Sequence, residues 1–247
     1  VLFGSDPQET LLVAKDMRDK KFKAVKLGWQ NFGTNVNTDL EHLIAAREGL
    51  GKEIMLMIDA GAIWGNSVEE ALKRTTMLKD ANVTWLEEPF YSDAFYEYSE
   101  LARRSSLSLA GGELCHSVEA AKNMIRYGKV KYIQVDAGIV GGILAGKEIC
   151  EFAESVNVQY VNHTFTSHLQ LSASLQAYAG STKSFLAEYP MQLKSLAWDI
   201  TTNHILMNDN GSIIVPGDIG HGMKVNESVF DRYRVNVDIL VNSNKIF

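Results

Sequence analysis

The sequence predicts an α/β fold of the TIM-type (β/α)8 barrel class, and three observations carry that prediction. Three apolar runs each close on a carboxylate: Ile-Met-Leu-Met-Ile-Asp59, Val-Thr-Trp-Leu-Glu87-Glu-Pro and Leu-Ser-Leu-Ala-Gly-Gly-Glu113. The intervals, 28 residues from Asp59 to Glu87 and 26 from Glu87 to Glu113, each fit one strand, one helix and two loops. Strand-like runs alternate with helical patterns eight times, with no linker or low-complexity stretch between them. The length of 247 residues suits one barrel. An open doubly wound sheet is the competing fold, and the regular period favours the barrel.

The eight runs fall at residues 1–4, 24–28, 54–60, 84–89, 107–113, 132–138, 158–164 and 184–190. After the first, Asp6 can cap a helix, Pro7 suits its first position and Glu9 completes a capping box. Ser67-Val-Glu-Glu and Ser117-Val-Glu-Ala give the same start signal before the third and fifth helices, and Gly128 and Gly180 stand where helices should stop. Past about residue 195 the pattern loosens. Asn210-Gly211 and Pro216-Gly217 are turn signals around Ile213-Ile-Val215. The expected organisation is therefore a barrel over 1–195 and a β-rich extension over 196–247, packed on the barrel or on a further domain.

Net charge is −6 and no basic patch stands out, which argues against a nucleic-acid or anionic-membrane partner. No apolar stretch approaches the roughly 18 residues of a membrane span. Two cysteines, Cys115 and Cys150, argue against a disulfide framework and favour a reducing, cytoplasmic setting. No signal peptide is visible. The chain opens on strand-like Val-Leu-Phe-Gly, which suggests that something N-terminal precedes it.

In a parallel barrel the C-terminal strand ends converge on one mouth. Asp59, Glu87 and Glu113 would repel one another there unless a cation lies between them, and hard oxygen donors in that number suit Mg2+. Strand parity puts Ala24, Lys26 and Gly28 on the inward face of the second strand, with Lys23 solvated. Glu88, of opposite parity to Glu87, reads as structural. The sixth run ends Ile-Gln-Val-Asp136 and the seventh Tyr-Val-Asn-His163, 27 residues apart. A carboxylate bonded to an imidazole fixes its tautomer and raises its basicity, as a general base requires. His168 would replace His163 only if the strand ended later. The eighth run ends on Glu188 at the same rim. Lys26 either bridges carboxylates or contacts a substrate carboxylate. His116 either lines the pocket or is a solvated loop residue. Trp29, Trp64, Phe90 and Tyr91 form either an aromatic wall over the mouth or packing against a capping domain.

The order Lys26, Asp59, Glu87-Glu88-Pro89, Gly112-Glu113, Asp136, His163, Glu188 resembles the enolase superfamily, and within it the mandelate racemase subgroup, whose fold is a modified (βα)7β barrel. The resemblance covers nearly the whole chain. It implies that Asp59, Glu87 and Glu113 carry Mg2+, that His163 oriented by Asp136 is the base, and that Glu188 donates a hydrogen bond to the substrate carboxylate. Lys26 matches the first lysine of the family's Lys-x-Lys motif. There are two departures: the second lysine is Gly28 here, and the residue after Asp-Ala, usually Asn, is Gly61. Similar proteins also begin with a capping domain that selects substrate, and this chain shows no such segment.

The expected activity is a Mg2+-dependent lyase that takes the proton α to the carboxylate of an acid sugar and eliminates water to a 2-keto-3-deoxy acid. A racemase needs bases on both faces of the α-carbon, and Gly28 supplies none. Racemisation or epimerisation is the first alternative, and an inactive barrel lacking its cap is the alternative of another class. A homo-oligomer and an N-terminal capping domain are the expected protein partners.

Overall fold

A computed structural model describes residues 1–191, 193–235, 237, 240–241 and 244–245. Its centre is a six-stranded parallel sheet in sequential order: β1 (Ala24–Gly28), β2 (Met55–Asp59), β3 (Val83–Glu87), β4 (Leu109–Gly111), β5 (Tyr132–Val135) and β6 (Gln159–Asn162). Helices α1 (Pro7–Asp19), α2 (Val36–Leu50), α3 (Val68–Leu72), α4 (Thr75–Asp80), α5 (Phe95–Arg104), α6 (Val118–Asn123), α7 (Ala137–Val140), α8 (Ile143–Ser155) and α9 (His168–Gln176) lie before and between the strands and after β6.

The side chains sort by parity as the alternation demands. Leu27, Leu56, Ile58, Leu86 and Ile133 pack outward under the helices in the main core. Met57, Trp85, Ala110 and Val161 form a second, inner core, with Ala24, Met55, Tyr132 and Leu186 against it. Two apolar layers, inside and outside one curled sheet, are the signature of a barrel. Each fully buried Leu or Ile contributes about 1.5–3 kcal/mol of transfer free energy.

The first and eighth runs depart from expectation. Residues 1–4 make a single parallel bridge, Leu2 to Gly28. Residues 184–190 form no strand. Side chains take the place of a backbone ladder there. The Asn162 amide accepts from the Glu188 N–H at 2.9 Å and donates to the Glu188 carbonyl at 3.0 Å, and Ser184 Oγ accepts from the Tyr160 N–H at 3.1 Å. Polar side chains that satisfy backbone groups in this way compete with regular pairing. The segment still closes the curl, because Leu186 enters the inner core and Glu188 reaches Lys26 across the seam.

The helix starts follow the sequence signals. Asp6 accepts from the Glu9 N–H at 2.8 Å, and Glu9 in turn accepts from the Ser5 N–H at 2.6 Å, one residue upstream of the cap. Ser67 and Ser117 cap α3 and α6. Gly128 ends a π-helical turn (Met124–Gly128), and Lys129 rather than a glycine takes the left-handed position after it.

The tail is not β-rich among the described residues. It holds α10 (Ser195–Asp199), an isolated bridge between Thr201 and Val225, a 3-10 turn (Glu227–Val229), α11 (Phe230–Tyr233) and a two-residue hairpin of β7 (Leu240–Val241) and β8 (Asn244–Lys245). Residues 213–215 are not a strand; Ile213 and Val215 pack on the main core instead. Tail and barrel are tied by Gln176 to the Pro216 carbonyl at 2.6 Å and by Tyr189 to the Ile205 carbonyl at 3.0 Å. No described helix is long and apolar enough to cross a membrane.

Candidate active site

The strand register sets the floor of the mouth. Gly28 pairs with Asp59, Asp59 with Glu87 and Glu87 with Ala110, so the ends of β1 to β4 lie at one level and Asp59 and Glu87 stand side by side. Lys26, inward on β1, places its ammonium among three carboxylates. It bonds Glu87, lies 3.0 Å from Glu188 Oε1 and 3.8 Å from Asp59 Oδ2. Burial, the largest single influence, disfavours its charge, but Glu188, Glu87 and Asp59 together raise its pKa well above the ordinary value. The Lys26 ammonium thus lies between the carboxylates of Glu87 and Glu188. Glu87 is fully buried, and its second oxygen accepts from the Trp85 indole at 3.0 Å.

The second half of the site is built by β5 and β6. Asp136 caps α7: its Oδ1 accepts from the N–H groups of Gly138 at 2.8 Å and Ile139 at 3.2 Å and from the Gln170 amide. That leaves Oδ2 for His163 Nδ1, 3.0 Å away. A carboxylate only accepts, so Nδ1 carries the proton and Nε2 faces the mouth, where it lies 3.4 Å from Glu113 Oε2. Burial opposes the imidazolium most strongly, yet the Asp136 hydrogen bond and the nearby Glu188 and Glu113 raise the His163 pKa to about 9.

His168 stands elsewhere. It opens α9, is buried, and its Nδ1 accepts from the Ile205 N–H at 3.1 Å. Burial pushes its pKa down to about 4. Glu88 is structural, as its parity predicts: its carboxyl binds the Gly112 N–H at 2.7 Å and the Tyr98 hydroxyl at 3.0 Å, and burial raises its pKa to about 8. Lys23 and His116 are exposed. Among the aromatics, Trp64 and Phe90 are packed inside, whereas Trp29 and Tyr91 are 55% and 57% exposed.

The expected trio is not drawn together. Among the described residues no three His, Cys, Asp or Glu side chains are grouped so as to hold an ion. Asp59 and Glu87 share Lys26, and Glu113 turns to His163. Lys26 and His163 are the basic groups within reach of these carboxylates. The donor chemistry nonetheless fits a divalent cation. Asp59, Glu87, Glu113, Asp136 and Glu188 outnumber Lys26 and His163. Asp59 has its pKa raised by burial and then by Glu87. Glu113 is raised to about 7, chiefly by burial, with Glu87 and Asp59 adding to it against His163 and Lys26. Glu188 Oε2 is buried without a hydrogen-bond partner. Surplus buried negative charge is what a bound cation relieves.

Two residues that the sequence reading left out support the site. Trp85 shares inward parity with Glu87, so alternation could have found it. Gln170 comes from the helix after β6, and no sequence spacing marks it.

A family model described as "Enolase C-terminal domain-like" matches residues 10–229. The chain belongs to that family. This enolase-like domain superposes on the crystal structure of a predicted mandelate racemase from Rhodobacter sphaeroides with a TM-score of 0.92 and 42% identity, over 100% of this chain and 63% of that one. It is 26% identical over 228 residues to D-galactarolactone cycloisomerase of Agrobacterium fabrum and 25% identical over 223 residues to arabinonate dehydratase of Saccharolobus solfataricus. These alignments take in 89% and 88% of the domain and 59% of each relative. The domain thus spans about six-tenths of the length of the proteins it resembles. The six parallel strands are those of a TIM-type barrel, which upholds the fold class read from the sequence.

Proposed function

We propose that this domain carries the catalytic residues of an enzyme that removes the proton α to the carboxylate of an acid sugar and expels water to give a 2-keto-3-deoxy acid. The observation that carries the reading is the His163–Asp136 dyad, with Nε2 aimed into a mouth that also holds Lys26 and Glu188. Asp59, Glu87 and Glu113 are the oxygen donors that would hold Mg2+, which would supply Lewis-acid stabilisation of the substrate carboxylate.

In its neutral form, with the proton on Nδ1, His163 Nε2 takes the α-proton as the Cα–H bond breaks, and the electron pair moves into the carboxylate as an enediolate. Asp136, pinned by two backbone N–H groups and Gln170, keeps the imidazole in register and stabilises the imidazolium. Lys26, whose ammonium Glu188 holds at 3.0 Å, offsets the charge that develops on the carboxylate oxygens. The enediolate then re-forms the carboxylate and a Cα–Cβ double bond as the Cβ–OH bond breaks, with the proton on His163 leaving in the water. The enol tautomerises to the keto acid.

Gly28 supports elimination over racemisation. It faces Asp59 so closely that a Cβ there would lie 2.6 Å from the Asp59 Cβ and carbonyl oxygen. No side chain, and so no second base, fits while the end of β2 keeps its place. Relatives named as a dehydratase and as a cycloisomerase are consistent with proton abstraction, and dehydration is our finer reading.

The rim supports a further partner. Trp29, Ile63, Tyr91, Leu114, Ile139 and Phe165 are exposed on the six successive connections that follow β1 to β6, Ile139 on the short helix α7. Six apolar side chains around one opening suit a covering surface, which we read as a capping domain joined to this one.

The test is proton NMR in deuterated water with Mg2+ and a panel of acid sugars, on the domain alone and joined to a cap. Formation of 2-keto acid without prior inversion at C2 supports dehydration. Inversion faster than keto acid formation favours an epimerase, and a lactone or ring-opened product favours a cycloisomerase. No turnover with the cap joined favours an inactive barrel.

A further inference from the structure

The structure assigns Trp29 the role of a positioning residue: its indole holds Asp59 in the orientation a cation ligand needs. The inference rests on the metal reading above and adds a residue to it. Trp29 follows β1, and both of its nitrogens are directed at Asp59. Its backbone N–H donates to the Asp59 carbonyl at 3.4 Å, and its indole Nε1 donates to Asp59 Oδ2 at 3.2 Å. Oδ2 is also the oxygen nearest Lys26. The other carboxylate oxygen, Oδ1, accepts from the Gly61 N–H at 2.9 Å. Each oxygen thus has one donor that sets its direction and keeps lone-pair capacity for a further partner.

The two donors depend on each other. The indole ring covers Gly61 so closely that a Cβ there would lie 3.2 Å from ring carbons, and Gly61 itself has φ +55°. The absence of a side chain at residue 61 is what lets the ring reach Asp59. The backbone is strained to bring it there: Trp29 and Gln30 have φ of 63° and 58°, a left-handed conformation that bulky residues rarely adopt. An aromatic side chain more than half exposed is not held in this way by apolar burial. The contacts with Asp59 and Gly61 account for its position.

The experiment uses the 247-residue chain and Trp29→Phe, which keeps an aromatic side chain and removes the indole N–H together with the second ring. Mg2+ affinity is measured by isothermal titration, and the indole N–H resonances of 15N-labelled protein are followed, with Trp29 assigned by its loss in Trp29→Phe. The expected result is Mg2+ binding weakened about tenfold in Trp29→Phe, the lower end for a hydrogen bond to a charged group, with an unchanged thermal midpoint. The Trp29 indole resonance should move when Mg2+ is added to wild type and when Asp59→Asn is made without metal. Wild-type affinity in Trp29→Phe overturns the role, as does an indole resonance indifferent to Asp59→Asn. If wild type binds no Mg2+ while the resonance still responds to Asp59→Asn, the metal reading itself has failed and the ligand-holding role falls with it.

Discussion

Replacing Gly28 with alanine puts the one-base reading to a test of sign. Gly28 has no positive φ, so alanine meets no backbone strain there, and the substitution isolates the side-chain space. If that space were free, alanine would stabilise the strand by about 0.4–1 kcal/mol through the lower entropy of its unfolded chain. The structure says otherwise. The new methyl would sit 2.6 Å from the Asp59 Cβ and carbonyl oxygen, roughly 1 Å inside the normal carbon contact distance of about 3.5–4.0 Å. One of these is backbone, so the end of β2 must move, and overpacking of that kind costs about 1–3 kcal/mol. Clash and entropy together leave a net loss on the order of 1–2 kcal/mol. For a chain of this size that lowers the thermal midpoint by about 2–8 °C. Because the displaced residue is Asp59, Mg2+ affinity should fall as well. Differential scanning calorimetry and Mg2+ titration of Gly28→Ala measure both. A midpoint at or above wild type with unchanged Mg2+ affinity would refute the reasoning, and Gly28→Lys could then install a second base.

The remaining expectations concern the metal, the base and pH. Glu87→Gln should weaken Mg2+ binding in isothermal titration, and wild-type affinity in that variant would remove Glu87 from the ligand set. His163→Asn should abolish exchange of the substrate α-proton with deuterated water while Mg2+ still binds; Asp136→Asn should slow it by freeing the imidazole tautomer, and His168→Asn should retain it. His163 has a pKa raised to about 9 from 6.5. A raised basic group stabilises fully below its unfolded value, so this contribution, about 3 kcal/mol at most, is complete below pH 6.5 and is lost as pH rises through about 9. In metal-free protein the midpoint difference between wild type and His163→Asn should therefore shrink across that window.

Much of the site was legible because a parallel barrel makes position in the sequence equivalent to position around the mouth. The parity of β1 singled out Lys26 over Lys23, and the 27-residue interval chose His163 over His168; in the structure Lys26 reaches Glu87, His163 meets Asp136 and His168 bonds the Ile205 N–H. Glu88 was legible as structural for the same reason. What failed lay where repetition fails. The run at 184–190 carries strand residues, but the Asn162 side chain takes up the Glu188 backbone groups and Ser184 Oγ takes the Tyr160 N–H of β6. The run at 213–215 is apolar because it covers the barrel core, which period-2 reasoning cannot distinguish from a strand.

The sequence alone determined the barrel class, the carboxylates at the strand ends and the Asp136–His163 pair, because alternation along strands and a repeat of fixed length are local properties. Only the tertiary structure decided how those charges are shared. Lys26 bridging Glu87 and Glu188, Glu113 turning to His163, Gln170 pinning Asp136 and Trp29 folding back on Asp59 all depend on distances between elements far apart in the chain. Such distances follow from how the sheet curls and which cation each buried carboxylate can reach, and no local pattern encodes them.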